Sequence, residues 1–228
     1  PGVRLAYVIG PQYLGEPDLV ILPGSKNTIA DLEYLRQTGM AEQIVTLARR
    51  GVPVVGICGG YQMLGREVRD PEGVEGAAER AEGLGLLDVV TVIRPEKATY
   101  RSRGVVCGPG PLLGGCRGMR ITGYEIHMGE TRRLKTASPA LVITQRGEQE
   151  VFRPDGAVSP YGLVFGTYLH GLFDNDAFRR HLLEALRRRK GLPSDAGDYC
   201  YQVELERSFD RLAAEVAAHL DLARLSAI

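Results

Sequence analysis

Cys58 stands in the segment Gly56-Ile57-Cys58-Gly59-Gly60-Tyr61-Gln62-Met63, a thiol flanked by small residues. It follows the apolar run Val52-Pro53-Val54-Val55, which suits a buried strand, and precedes Leu64-Gly65-Arg66-Glu67, which continues a helix. A nucleophile on a sharp strand-to-helix turn forms an elbow. Glycines at 56, 59 and 60 permit the tight backbone and let a substrate approach the main chain. The partial positive charge at a helix start favours thiolate over thiol, so a thiolate reactive at low pH is expected at Cys58. The alternative is a buried structural cysteine behaving as a small hydrophobe. The elbow glycines, with Gln62 four residues on, favour the nucleophile.

Such a thiol needs a base and a place for an oxyanion. An imidazole takes the thiol proton and later delivers it to a leaving amine. His170 is the preferred base, in Gly166-Thr167-Tyr168-Leu169-His170-Gly171-Leu172-Phe173-Asp174, and His127 is its competitor, in Gly123-Tyr124-Glu125-Ile126-His127-Met128-Gly129-Glu130-Thr131. His181 and His219 fall on expected helices and need no special role. The loop Pro23-Gly24-Ser25-Lys26 reads as half of an oxyanion hole, with one N–H donor from Gly59 and a second from Gly24 or Ser25. Because a helix follows this loop, a phosphate-binding loop is the rival reading, but the GxxxxGK[ST] spacing is absent.

The elements that must position these groups alternate between strand and helix. Strands are expected at 3–9, 18–22, 52–58 and 162–168, and β-like segments at 88–93, 104–107, 120–127 and 140–145. Helices are expected from Thr28, with Ile29, Leu32 and Leu35 on one side, at 40–50 with Gly51 as its stop, at 176–190 and at 203–225. In the last of these, Phe209, Leu212, Val216 and Leu220 form a stripe that reads as core-facing, with partner docking as the second reading. Residues 67–83, rich in Gly, Glu and Arg, read as a surface loop. The pattern implies an α/β fold: an open, mostly parallel sheet flanked by helices in three layers, with additional β segments. Gly24-Ser25, Cys58 and His170 then lie just beyond strand ends, where open α/β sheets bind ligands.

Composition narrows the function classes. The 228 residues carry 28 basic and 28 acidic side chains, so no net charge draws the chain to nucleic acid or an anionic membrane. No apolar run approaches the roughly 18 residues of a membrane span, and no secretory pattern opens the sequence. The four cysteines form no CxxC pair and no metal-ligand spacing with the four histidines. A reduced, cytoplasmic protein without a resident metal is expected. Cys107 and Cys116 share a Gly/Pro-rich stretch where a disulfide is the minor alternative.

These stretches resemble the class I, or triad, glutamine amidotransferase domain and, within it, the cobyric acid branch. The resemblance rests on LPGSKNTIADLEYLR, GVPVVGICGGYQMLGREVRDPEGVEG, EGLGLLDVVTV, GYEIHMGET and GLVFGTYLHGLFDNDAFRRHLL, covering most of residues 18–183. It implies that Cys58 attacks the carboxamide of glutamine to form a glutamyl thioester and ammonia. Gln62 matches the position that helps hold glutamine, and His170 matches the catalytic histidine. The usual triad has Glu two residues after the histidine, where Leu172 stands here, as in the cobyric acid branch. Asp174, a main-chain carbonyl or a water are the candidates for orienting the imidazole. The resemblance also implies that residues 1–228 are the amidotransferase domain of a longer enzyme. Its upstream ATP-dependent synthetase domain, using ATP and Mg, would amidate a corrin acceptor with the ammonia. The rivals are a non-catalytic docking or regulatory domain of the same fold, the glutaminase of a related amidating enzyme, and an independent cysteine hydrolase. The related enzymes are one acting on cobyrinic acid and one on a cell-wall lipid precursor.

Overall fold

A computed structural model describes residues 2–220 except 77, 195, 196 and 198. From the N-terminus run strand β1 (Val20–Leu22), helices α1 (Thr28–Gln37) and α2 (Met40–Arg49), β2 (Val54–Ile57) and the short helix α3 (Gly59–Met63). Then come β3 (Glu67–Arg69), β4 (Arg80–Glu82), β5 (Val89–Val92), β6 (Ala98–Val106), α4 (Gly110–Leu113), β7 (Arg120–His127) and β8 (Glu130–Arg133). The remainder is β9 (Leu141–Arg146), β10 (Gln149–Asp155), β11 (Ala157–Val158), β12 (Val164–Thr167), β13 (Leu169–His170), α5 (Asp176–Arg189) and α6 (Tyr201–His219).

The expected parallel sheet has the order β1-β2-β12-β11, with β1, β2 and β12 parallel and β11 antiparallel at its edge. The additional β segments are more extensive than the sequence suggests. They form a five-stranded sheet, β10-β9-β6-β7-β13, and a four-stranded sheet, β4-β3-β5-β8. Residues 67–83 therefore contain two strands, β3 and β4, rather than a loop alone. Their short, polar runs carry no period-2 apolar signal, and only Val68 is fully buried.

Alternation along β2 and β12 supplies the three layers. Val54 and Val164 enter a core shared with Ile29, Leu32 and Ile44 of α1 and α2, while Val55 and Phe165 enter one shared with Phe178 and Leu182 of α5. Successive side chains of a strand point to opposite faces, so an apolar run of this kind is covered on both sides. Asn27 starts α1 by accepting the Ala30 N–H at 3.0 Å, and Gly51, at φ +88°, ends α2 as its sequence implied.

Two further expectations fail. Residues 3–9 form no strand: Val3, Leu5 and Tyr7 are 60%, 70% and 92% exposed, and among the described residues no neighbour supplies the ladder hydrogen bonds a strand requires. The α6 stripe is not core-facing. Phe209, Leu212 and Val216 are exposed, and the helix buries no residue; its expected continuation through 221–225 lies outside the described residues. All four cysteines are free thiols.

Candidate active site

The turn between β2 and α3 places Cys58 at φ 53°, ψ −112°, the one non-glycine with positive φ among the described residues. A side chain held there costs about 1–3 kcal/mol, which the surroundings must offset. The Cys58 N–H donates to Thr167 O at 2.8 Å, and its carbonyl accepts the Gln62 N–H at 3.0 Å, so both neighbouring elements hold the bend. Close approach explains the adjacent glycines. A β-carbon on Gly60 would lie 2.0 Å from Leu22 O, and one on Gly59 would lie 2.7 Å from Ser25 N. The Pro23–Ser25 turn after β1 thus packs flat on the elbow. It brings the Ser25 main chain to Gly59, whose N–H faces the Cys58 sulfur. Ser25 Oγ is used locally, donating to Asp31 at 2.5 Å and accepting the Asn27 N–H at 3.0 Å, which leaves main-chain groups as this turn's candidate oxyanion donors.

His170 reaches the same point by a change of sheet. The chain leaves the parallel sheet at Thr167 and joins β7 through β13, with His170 opposite Tyr124. The imidazole stacks on the Tyr124 ring, with centroids 5.0 Å apart and planes 8° apart. Gly24 fits between thiol and base: a β-carbon there would stand 3.0 Å from His170 Cε1 and 3.7 Å from Cys58 Cβ. His170 Nε2 is buried with no hydrogen-bond partner, and the Ile126 carbonyl lies against the ring. In either neutral tautomer the ring keeps one nitrogen lone pair that can take a proton. Asp174, the local carboxylate candidate, sits 3.2 Å from a β-carbon placed on Gly171 and has Arg179 as its charged neighbour.

The same Ile126 carbonyl accepts the Cys58 thiol at 3.3 Å. Burial pushes this thiol up to about 11, opposed by the Gly59 N–H and reinforced by the Glu75 and Asp155 carboxylates. His170 is lowered from the usual histidine value by burial, against the pull of the Ile126 carbonyl. Thiol and imidazole are therefore both neutral at pH 7, contrary to the thiolate expected from the helix start. The physical reason is length against depth: α3 has five residues, and desolvation of a cysteine only 7% exposed outweighs its end charge.

Gln62 is buried at 3% exposure and belongs to a polar chain. Its Oε1 accepts from Thr28 Oγ1 at 2.7 Å, its Nε2 donates to Tyr168 Oη at 3.2 Å, and Tyr168 Oη shares a 2.6 Å bond with Thr131 Oγ1. His127, whose charge also bears on His170, has contacts of its own. It stacks on Tyr168 with centroids 3.8 Å apart, its Nδ1 faces Gly129 O at 3.1 Å, and its Nε2 lies 3.8 Å from Glu125. Sequence reasoning passed over Glu125, which is 1% exposed, receives Ser102 Oγ at 2.5 Å and is clasped by both Arg146 Nε and Nη2. Against burial, which raises it, His127, Arg146 and Ser102 hold its carboxyl down at about 2. Its signal was positional: Glu125 takes an inward register in β7, between the outward Tyr124 and Ile126.

Residues 1–178 match the CobB/CobQ-like glutamine amidotransferase domain family. Curated relatives include cobyric acid synthase of Moorella thermoacetica, 53% identical over 227 residues, covering 100% of this chain and 44% of the relative. That of Pelotomaculum thermopropionicum is 51% identical over 233 residues with the same coverages, so this chain spans less than half the length of these relatives. Among solved structures, a glutamine amidotransferase superposes with a TM-score of 0.57 at 17% identity, over 81% of this chain and 87% of the other. PurLQS from Thermotoga maritima gives 0.58 at 18% identity, over 81% and 85%; both are likenesses of fold. The chain belongs to the CobB/CobQ-like glutamine amidotransferase domain family.

Proposed function

We propose that this chain is the glutaminase domain of a cobyric acid synthase, with Cys58 as nucleophile and His170 as general base and acid. The observation that carries the reading is the strained Cys58 elbow, with the Ser25 main chain against Gly59 and His170 across Gly24. His170 Nε2 takes the thiol proton as Sγ bonds to the glutamine carboxamide carbon. Charge moves to the carboxamide oxygen, which the Gly59 and Ser25 N–H groups receive. Collapse breaks the C–N bond, His170 returns the proton to the leaving nitrogen, and ammonia departs. Water then gives a proton to His170 and hydroxyl to the thioester, releasing glutamate and restoring the thiol.

In this reading the ammonia passes to an ATP- and Mg-dependent synthetase domain upstream, which amidates corrin carboxylates. The relatives' greater length supports further chain, and the exposed apolar residues at 3–9 and the open edge of β1 are surfaces that more chain would cover. Gln62, buried in its polar chain, supports the glutamine site from behind. The test is Cys58→Ser in the full-length enzyme. Glutamine-dependent amidation should fall about 10³-fold or more, while amidation with added ammonium persists. Loss of both, with the fold intact, would reject the division of labour; retention of both would reject Cys58.

A further inference from the structure

Cys58 and His170 belong to different sheets, the thiol following β2 of the parallel sheet and the imidazole lying on β13 of the five-stranded one. The chain steps directly between these sheets at two places, 155–157 and 167–169. Asp155 stands at the first step and binds the second. It is buried, accepts from the Thr167 hydroxyl, and accepts the Tyr168 N–H at 3.3 Å. Gly156 allows the approach: at φ +68°, a β-carbon there would lie 2.1 Å from Gly166 O, so the two steps pack main chain to main chain. Burial raises the Asp155 carboxyl from its ordinary value, and the Thr167 hydroxyl is the foremost opposing influence.

Thr167 carries the consequence to both reacting groups. Its carbonyl accepts the Cys58 N–H at 2.8 Å, holding the positive-φ elbow. Its Oγ1 accepts the Leu169 N–H at 2.9 Å, one residue before His170. A hydroxyl has one proton to give, and Asp155 takes it, which leaves the Oγ1 lone pairs turned to Leu169. Asp155 makes no hydrogen bond to Cys58 or His170 among the described residues, so its influence on their placement passes through Thr167. We propose that Asp155 is a positioning residue that, through Thr167, sets Cys58 and His170 in register with each other. This rests on the glutaminase reading and gives its two reacting groups a shared carboxylate support that works through the main chain.

The experiment measures glutamine hydrolysis by variants of the full-length enzyme. Thr167→Val keeps the shape of a buried strand residue and removes the hydroxyl, while Thr167→Ser keeps the hydroxyl. Asp155→Asn keeps the outline of the carboxylate and turns one acceptor into a donor. Misplacement of the reacting groups should lower kcat about 10²-fold in Thr167→Val and in Asp155→Asn, with KM for glutamine within about twofold of the unmodified enzyme. Thr167→Ser should recover most of that loss. Thr167→Val combined with Asp155→Asn should cost no more than either alone, because both break one link. Unchanged kcat in Thr167→Val overturns the proposal, as does a Thr167→Ser variant no better than Thr167→Val. A multiplicative loss of about 10⁴-fold in the double variant also overturns it, since the two residues would then act separately. A lowered melting temperature with kcat per folded enzyme retained makes Asp155 a structural support and overturns it too. Where Asp155→Asn does not fold, the two Thr167 variants decide alone. Failure of the underlying reading is distinguishable, because there Cys58→Ser would still hydrolyse glutamine.

Discussion

The two sides of the candidate site are built on opposite electrostatic plans. On the elbow side, Cys58 and His170 are neutral, the imidazole Nε2 has no partner, and the thiol rests on a main-chain carbonyl. One residue along β7 from that carbonyl, Glu125 is ionised and saturated by Ser102 and a two-point Arg146 clasp. Side chains at 125 and 127 point inward to that network, while the Ile126 carbonyl between them touches thiol and base. The difference teaches a division of roles within one strand. The charged pair holds β7, and the same strand places a neutral main-chain acceptor beside the thiol and the imidazole.

The sharpest way to break this comparison is to exchange the two histidines' fates. His170→Ala should lower glutamine turnover about 10²–10⁴-fold through loss of proton transfer, without a large change in melting temperature. His127→Ala, which removes a ring stacked on Tyr168 and no reacting atom, should cost much less in kcat and more in stability. Steady-state kinetics paired with thermal melts separate the two; the reverse ranking would make His127 the base.

Glu125→Gln addresses the charged side. It leaves the Arg146 guanidinium, 15% exposed at its side chain, beside a neutral amide, and breaking such a pair should destabilise the fold by about 3 kcal/mol in denaturant titration. The pH dependence has a definite sign. The Glu125 carboxyl is depressed from 4.5 to about 2, so its stabilisation is complete above pH 4.5 and is lost as pH falls toward 2. Glu125→Gln should flatten stability across that window, and an unchanged acid limb would remove Glu125 from the support role.

Legibility in sequence divides along a related line. The elbow, the Pro23–Ser25 turn, α1, α2 and the position of His170 are local patterns, readable because glycine spacing and apolar periodicity act within one or two turns of chain. Glu125 is satisfied by partners 21 and 23 residues away across the antiparallel sheet, a pairing no local pattern encodes. Glu75 likewise depends on Asn27 and Ile29, 48 and 46 residues distant. The strand expected at 3–9 shows the converse error: its alternation is real, but a strand exists only with a neighbour. The thiolate expectation failed on depth, because sequence places Cys58 at a helix start without giving the burial that outweighs the helix.

The neutral, substrate-awaiting thiol is most directly tested by the pH dependence of Cys58 alkylation by iodoacetamide in the absence of glutamine, read at its own peptide by mass spectrometry. With the thiol near 11, the rate should rise about tenfold per unit from pH 6 to 9 and show no plateau on the acid side. A fast, pH-independent rate extending below pH 7 would reveal a pre-formed thiolate–imidazolium pair and contradict the account.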